Sequence, residues 1–411
     1  MEVAAVIKFM KKRHLIFKTI LYFPFFVYGQ IKIDVTPEIV NKTMIDIVYN
    51  QYFQNGNNSA VTGGIGTEEL YVYGPSLNIK RIKNLHSFNI NLGADVITSA
   101  STDNIDFVVS SASKIDSRVY INGKYEKYFK KLDCTFFGGA GLSIESDYFS
   151  LGSKLGIIKE SKNRLSQYNL EFQMFNDDLR WGRVSPNYFR PVKLIYPVEL
   201  RYKEWYDVVK RNTYNLKIGW NRVLNKRNIL GLYSDVSFQS GLLATPFHRI
   251  YFSDGTEAVE QLPKERWRFA FAFKLNSFIG GRVVVKNAIS PYLDNFGVLS
   301  LALQNETLLK LNHKLFLLSN IRVFAQKESF YFNKIFAHDK NELYYTSDFD
   351  LSTFQTLDLG LGLKLVPDQS NSKKVFFNSL TIRYNFMYNT RGLIGHMVSL
   401  AIQTEWKKQK K

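Results

Sequence analysis

Cysteine is all but missing from this chain: Cys134 is alone among 411 residues. One thiol has no partner for an internal disulfide and cannot build a cysteine metal cluster. Histidine is equally thin. His14, His86, His248, His313, His338 and His396 are scattered, and none stand at the close spacing of a zinc motif. From spacing alone, no metal and no cofactor are expected. Past residue 30, no uncharged apolar run reaches the roughly 18 residues a membrane-spanning helix requires. Proline is scarce too, and Pro186, Pro191 and Pro197 crowd into one stretch.

What the chain does hold is aromatic. Phenylalanine numbers 33 and tyrosine 24, a composition that favours strands. The formal charge is +18. Its lysines and arginines are spread through strands and loops, not gathered into a stripe, which argues against a nucleic-acid partner.

The first residues read as a targeting segment. Lys11–His14 supply a basic start, and LIFKTILYFPFFVYG follows, too short and too interrupted to span a bilayer. The expectation is a signal peptide over residues 1–29, cleaved after Gly29, with Met10 a competing start. Residues 30–411 are then one domain.

That domain alternates with period two almost throughout. In the last run, Val398, Leu400, Ile402 and Trp406 share one face, and Ser399, Ala401, Gln403 and Glu405 share the other. WRFAFAFKL stacks Trp267, Phe269, Phe271, Phe273 and Leu275 on one side. TLDLGLGLKLV does the same with Leu357, Leu359, Leu361, Leu363 and Leu365. The runs are about 10–15 residues, longer than the usual globular strand. Short reversals alternate with long connections near 177–210, 241–265 and 327–352. Charges on the polar face need water or partners, which a lumen supplies. The pattern predicts an all-β transmembrane barrel of the bacterial outer membrane, with about 14–16 antiparallel strands. Tyr214, Trp220, Trp267, Tyr384 and Tyr388 suit interfacial girdles.

Five phrases carry a family resemblance: SAVTGGIGTEELYVYGPSLNI at 59–79, ADVITSAS at 94–101, RNTYNL at 211–216, PFHRIYFSDG at 246–255 and YYTSDFDLSTF at 344–354. With these, the chain resembles a Bacteroidota family of outer-membrane β-barrels known as a domain of unknown function. The resemblance implies a barrel in the outer membrane. It supplies no substrate and no catalytic residues.

Candidate sites come from the faces. Arg118, Lys124, Lys217, Lys274, Lys286, Arg322, Lys364 and Arg383 fall on inferred inward faces and outnumber Asp95, Glu126, Glu171, Asp358 and Glu405. A positive interior would favour anions; plain pairing across the lumen is the bland reading. In 177–210, Trp181, Arg183, Tyr188, Arg190 and Trp205 suit contact with sugar, lipid or a protein partner, though packing of a long loop explains them as simply. Asp95, Asp103 and Asp106 offer loop oxygens to calcium, without EF-hand spacing. His86, Asp95 and Ser99 or Ser101 are the one cheap suggestion of a triad. The function expected is a passive channel or solute-binding barrel. A non-conducting subunit of an envelope assembly, export or redox system comes second, and a lipid-modifying enzyme third. The partners expected are outer-membrane lipid, a small solute and an envelope protein.

Overall fold

A computed structural model describes residues 41–99, 115–145, 148–179, 210–245, 248–368 and 375–407. The expected signal peptide at 1–29 lies outside them. So does 180–209, with Trp181, Arg183, Tyr188, Arg190 and Trp205.

Among the described residues the chain forms eighteen strands. They are β1 Asn41–Asn55, β2 Leu70–Lys83, β3 His86–Ser99, β4 Ile115–Phe129, β5 Cys134–Ile144 and β6 Phe149–Glu160. Next come β7 Ser166–Asp178, β8 Lys210–Asn225, β9 Asn228–Gly241, β10 Arg249–Tyr251, β11 Glu257–Val259 and β12 Glu265–Ile279. The last are β13 Val283–Asp294, β14 Leu299–Lys310, β15 Leu315–Lys327, β16 Phe354–Leu365, β17 Val375–Asn389 and β18 Ile394–Lys407. All but β10 and β11 close into one antiparallel barrel of sixteen, each strand beside its sequence neighbour. Closure comes from β18 on β1, in register from Lys42↔Lys407 to Asn55↔Ile394. No barrel edge is left to pair with another chain.

The two ends of the barrel differ. At the end where β1 begins and β18 finishes, the reversals among the described residues are short. Asn84 and Leu85 alone join β2 to β3, with Asn84 at φ 54°, a conformation asparagine tolerates. Gly280 and Gly281, at φ 58° and 74°, turn β12 into β13. The opposite end carries the long connections 56–69, 242–264 and 328–353. Short turns at one end and long loops at the other are the outer-membrane habit.

The pleat sorts the faces. Outward positions hold Ile47 and Tyr49 of β1, Phe271 and Phe273 of β12, and Leu357 to Leu365 at odd numbers on β16, all exposed in the isolated chain. Leu361 is 63 % exposed. A belt of bare aliphatic side chains is stable only against hydrocarbon. Aromatic rows edge the belt. Tyr214, Phe238 and Trp267 lie side by side near the long-loop end, with centroids 6.5 and 4.6 Å apart. Phe88 and Tyr125 pack at 4.9 Å near the short-turn end. Among the described residues no helix is long and apolar enough to cross a membrane; the strands cross it. The chain is a sixteen-stranded transmembrane barrel of the bacterial outer-membrane type.

Candidate functional site

The inward face is polar, and its charges sit in close pairs, within a strand or between strands. Lys124 Nζ lies 2.7 Å from Glu126, with Lys80 at 3.8 Å from the same carboxylate. Arg322 reaches Asp358 at 2.9 Å. Glu306 takes Lys286 at 3.0 Å and Arg383 at 3.8 Å. Arg118 faces Glu145 at 3.6 Å, and Lys217 faces Asp235 at 3.8 Å. Lys274 sits 5.0 Å above the Tyr233 ring. Lys364 stands opposite Phe316 and Thr381, with no carboxylate in register beside it among the described residues. So the structure places all eight predicted cations on inward positions, six of them beside carboxylates. Sequence reasoning missed Arg211, paired with Asp177 at 2.8 Å, and Arg266, paired with the fully buried Asp294.

A recess of about 350 Å³ opens in this wall, lined by Tyr52, Glu306, Asn320, Asp358, Arg383 and Asn385. Its floor is glycine for a steric reason. A Cβ on Gly360 would collide with the Asn385 side chain, and one on Gly362 would lie 2.7 Å from the Ile382 carbonyl. The volume is that of a small-solute pocket.

The mouth is built differently. The loop 56–69 rises from β1 and β2, and the loop 242–264 rises from β9 and β12. These roots are eight places apart on a ring of sixteen, on opposite walls. Yet the loops meet. A Cβ on Gly63 would fall 2.6 Å from the Tyr251 ring, and one on Gly64 would fall 2.8 Å from the Ser347 carbonyl. Both glycines have positive φ, 78° and 87°, so they are required twice over. Loops meeting from opposite walls must cross the opening. The crossing is cemented by the 328–353 loop: Tyr345 N donates to Gln261 O at 2.8 Å, and Phe330 N to Phe296 O at 2.8 Å. Ile250, Phe252, Leu262, Phe296, Val298, Phe332 and Leu393 are all buried here. The apolar core lies mostly in this bridge, not in the barrel wall.

Titratable groups gather in the bridge. His248 Nδ1 is 3.5 Å from Glu260 and 3.8 Å from Asp348. Burial lowers the affinity of His248 for a proton, but Glu260 and Asp348 outweigh it and push the imidazole up to about 9. Burial, against the pull of His248, pushes Asp348 up to about 6. These three are the described residues that could hold a metal ion. No linear motif announces them, because Asp348 comes from a different loop. Glu68, beneath the bridge, is pushed up to about 7 by burial, against the pull of Arg391.

The suggested triad comes apart in space. His86 points outward and hydrogen-bonds Tyr125 Oη at 2.6 Å, whereas Asp95 points inward opposite Arg118. Alternation puts them on opposite sides of the wall, so they form no triad. Of the suggested calcium donors, Asp103 and Asp106 lie outside the described residues, as does Ser101.

Among solved structures, the chain is similar to a bacterial polysaccharide outer-membrane secretin (9 % identity, 90 % of this chain and 100 % of that one, TM-score 0.46). It is also similar to a BenF-like porin from Pseudomonas fluorescens Pf-5 (8 %, 89 % and 99 %, TM-score 0.42). A third is a deltaS2 mutant of the TodX monoaromatic hydrocarbon channel (9 %, 92 % and 91 %, TM-score 0.39). At such identities nothing is carried over from them, and the barrel rests on its own strand register. No curated protein matches the chain. A family model described as "Protein of unknown function (DUF3570)" matches residues 94–397, from β3 to β18, and the chain belongs to that family.

Proposed function

We propose that this barrel is a passive outer-membrane channel for small polar solutes, favouring anions, with a mouth narrowed by the loop bridge. The observation that carries the reading is the inward face: cations crowd it, and Lys274, over the Tyr233 ring, and Lys364, opposite Phe316 and Thr381, have no carboxylate in register beside them among the described residues. Six paired cations still present a polar, hydrated wall, and unpaired ones set the sign of the field. The recess around Gly360 and Gly362 is where a small solute would pause, between the Arg383 guanidinium and the Asn320 and Asn385 amides. The test is single-channel recording in a planar bilayer, with protein shown to be folded by heat-modifiable gel migration. Discrete steps are expected in 1 M KCl, lost on heating, with a reversal potential favouring chloride. A reversal potential favouring potassium would sink the anion preference.

The bridge itself supports a second reading, a non-conducting interaction subunit of the envelope whose mouth is closed by design. A folded barrel that never conducts would transfer the assignment to that reading, with the bridge as its docking face.

A further inference from the structure

We propose that His248, Glu260 and Asp348 bind one divalent transition cation, with Zn²⁺ as the best fit, and that the ion staples the 242–264 loop to the 328–353 loop. The first support is geometric. The three donor atoms all lie within 4.8 Å of one another, with His248 Nδ1 at 3.5 and 3.8 Å from the two carboxylate oxygens. A point equidistant from three atoms so spaced lies at most about 2.4 Å from each. Zinc bonds to nitrogen and carboxylate oxygen span about 2.0–2.2 Å, so small adjustments suffice.

The second support is an orphaned atom. His248 Nδ1 is buried and makes no hydrogen bond, although it points at two carboxylates. An imidazolium serving only as a latch would close on one of them to about 2.7–2.9 Å. At 3.5 and 3.8 Å it does neither job, and an ion between the three groups explains the standoff.

The third support is the scaffolding around the donors. Glu260, whose side chain is 2 % exposed, accepts the Thr245 N–H at one oxygen and the Thr346 hydroxyl at the other. Asp348 accepts the Asp350 N–H at 2.9 Å through Oδ1. That leaves Oδ2 turned toward His248. Outer hydrogen bonds of this kind hold metal-binding carboxylates in place. Charge agrees: a neutral imidazole and two carboxylates sum to −2, which one divalent ion cancels in a buried setting. A nitrogen donor selects against calcium and magnesium, and three protein donors leave a tetrahedral ion one place for water.

This inference stands apart from the channel reading, since a silent barrel could bind the ion equally well. The test is calorimetric titration of ZnCl₂ into the full, folded chain in detergent after stripping with EDTA. One Zn²⁺ per chain is expected, and Co²⁺ in its place should give a visible d–d absorption. His248→Gln and, independently, Asp348→Asn should each weaken binding at least about tenfold, the low end of what losing even an outer-shell partner costs. His313→Gln, at an exposed histidine beside Asp368, should leave it unchanged. No binding by the folded wild-type chain would overturn the proposal. So would binding that survives both ligand variants, or binding lost with His313.

Discussion

Replacing Gly64 with valine should detach the bridge from its anchor on the β1–β2 side. Gly64 has φ +87°, and its missing Cβ would sit 2.8 Å from the Ser347 carbonyl oxygen and 2.8 Å from the Phe349 ring. Left-handed backbone costs an L-residue about 1–2 kcal/mol, and a β-branched side chain more. The carbonyl cannot retreat without giving up its loop, so the total strain is about 2–3 kcal/mol. All of it is released when the 56–69 loop lifts away. The detached population should therefore rise about 30- to 150-fold. Single-channel recording reads this as longer dwell in the higher-conductance state, and limited proteolysis reads it as faster cutting within 56–69. Gly281→Val is the matched control. It has φ +74°, nothing within 4 Å, and a place at the opposite end of the barrel. If Gly64→Val folds and both dwell times and cutting match those of Gly281→Val, the 56–69 loop does not hold the mouth, and the reasoning fails.

Glu68 gives a pH dependence. Its folded carboxyl is raised from 4.5 to about 7, so its stabilising protonated form is fully present below 4.5 and lost as pH rises through 7. Docking of 56–69 should weaken by about 1–2 kcal/mol across that window, discounting for solvent; Glu68→Gln should flatten the pH profile of proteolysis. Asp294 is fully buried and accepts Arg266 Nε at 3.0 Å, Tyr292 Oη at 2.7 Å and two turn N–H groups at 3.0 Å. Arg266→Met leaves that carboxylate uncompensated and should cost about 3–5 kcal/mol, read by urea denaturation in detergent. Leu361→Arg places a charge on the lipid belt and should cost about 2–4 kcal/mol in folding into vesicles. The same residue at the inward Asn50 should be tolerated, and equal costs at the two sites would show that the faces are misassigned.

The wall of the barrel is legible in the sequence because its rules are local. Period two alone assigns Leu357–Leu365 and Val398–Trp406 to one face, and Gly280–Gly281 announces its turn without help from distant residues. Strand number came within reach for the same reason. The bridge was not legible. Sequence marks 241–265 and 327–352 only as long connections, yet they hold the β10–β11 hairpin and residues as deeply buried as Ile250, His338 and Thr346. Their partners lie on other loops, so no spacing along the chain records the contacts. Histidine spacing searches one segment at a time, and His248 meets Asp348 only through space. Alternation assigns the cations to a polar face, but pairing depends on which strands are neighbours, and that emerges only with closure.

Closure by β18 on β1 also sets the order of assembly. The salt bridge from Lys42 to Glu405 joins residues 363 apart in sequence, whereas every other barrel seam joins strands that follow one another along the chain, with only the β10–β11 hairpin intervening between β9 and β12. Fifteen seams can zip as local hairpins, and one must wait for the longest loop to close. Until then the growing sheet carries two raw edges, each able to capture a strand from another molecule. Removing β18 would therefore not yield a slightly smaller barrel. It would leave β1 and β17 permanently open, and the expected product is aggregate.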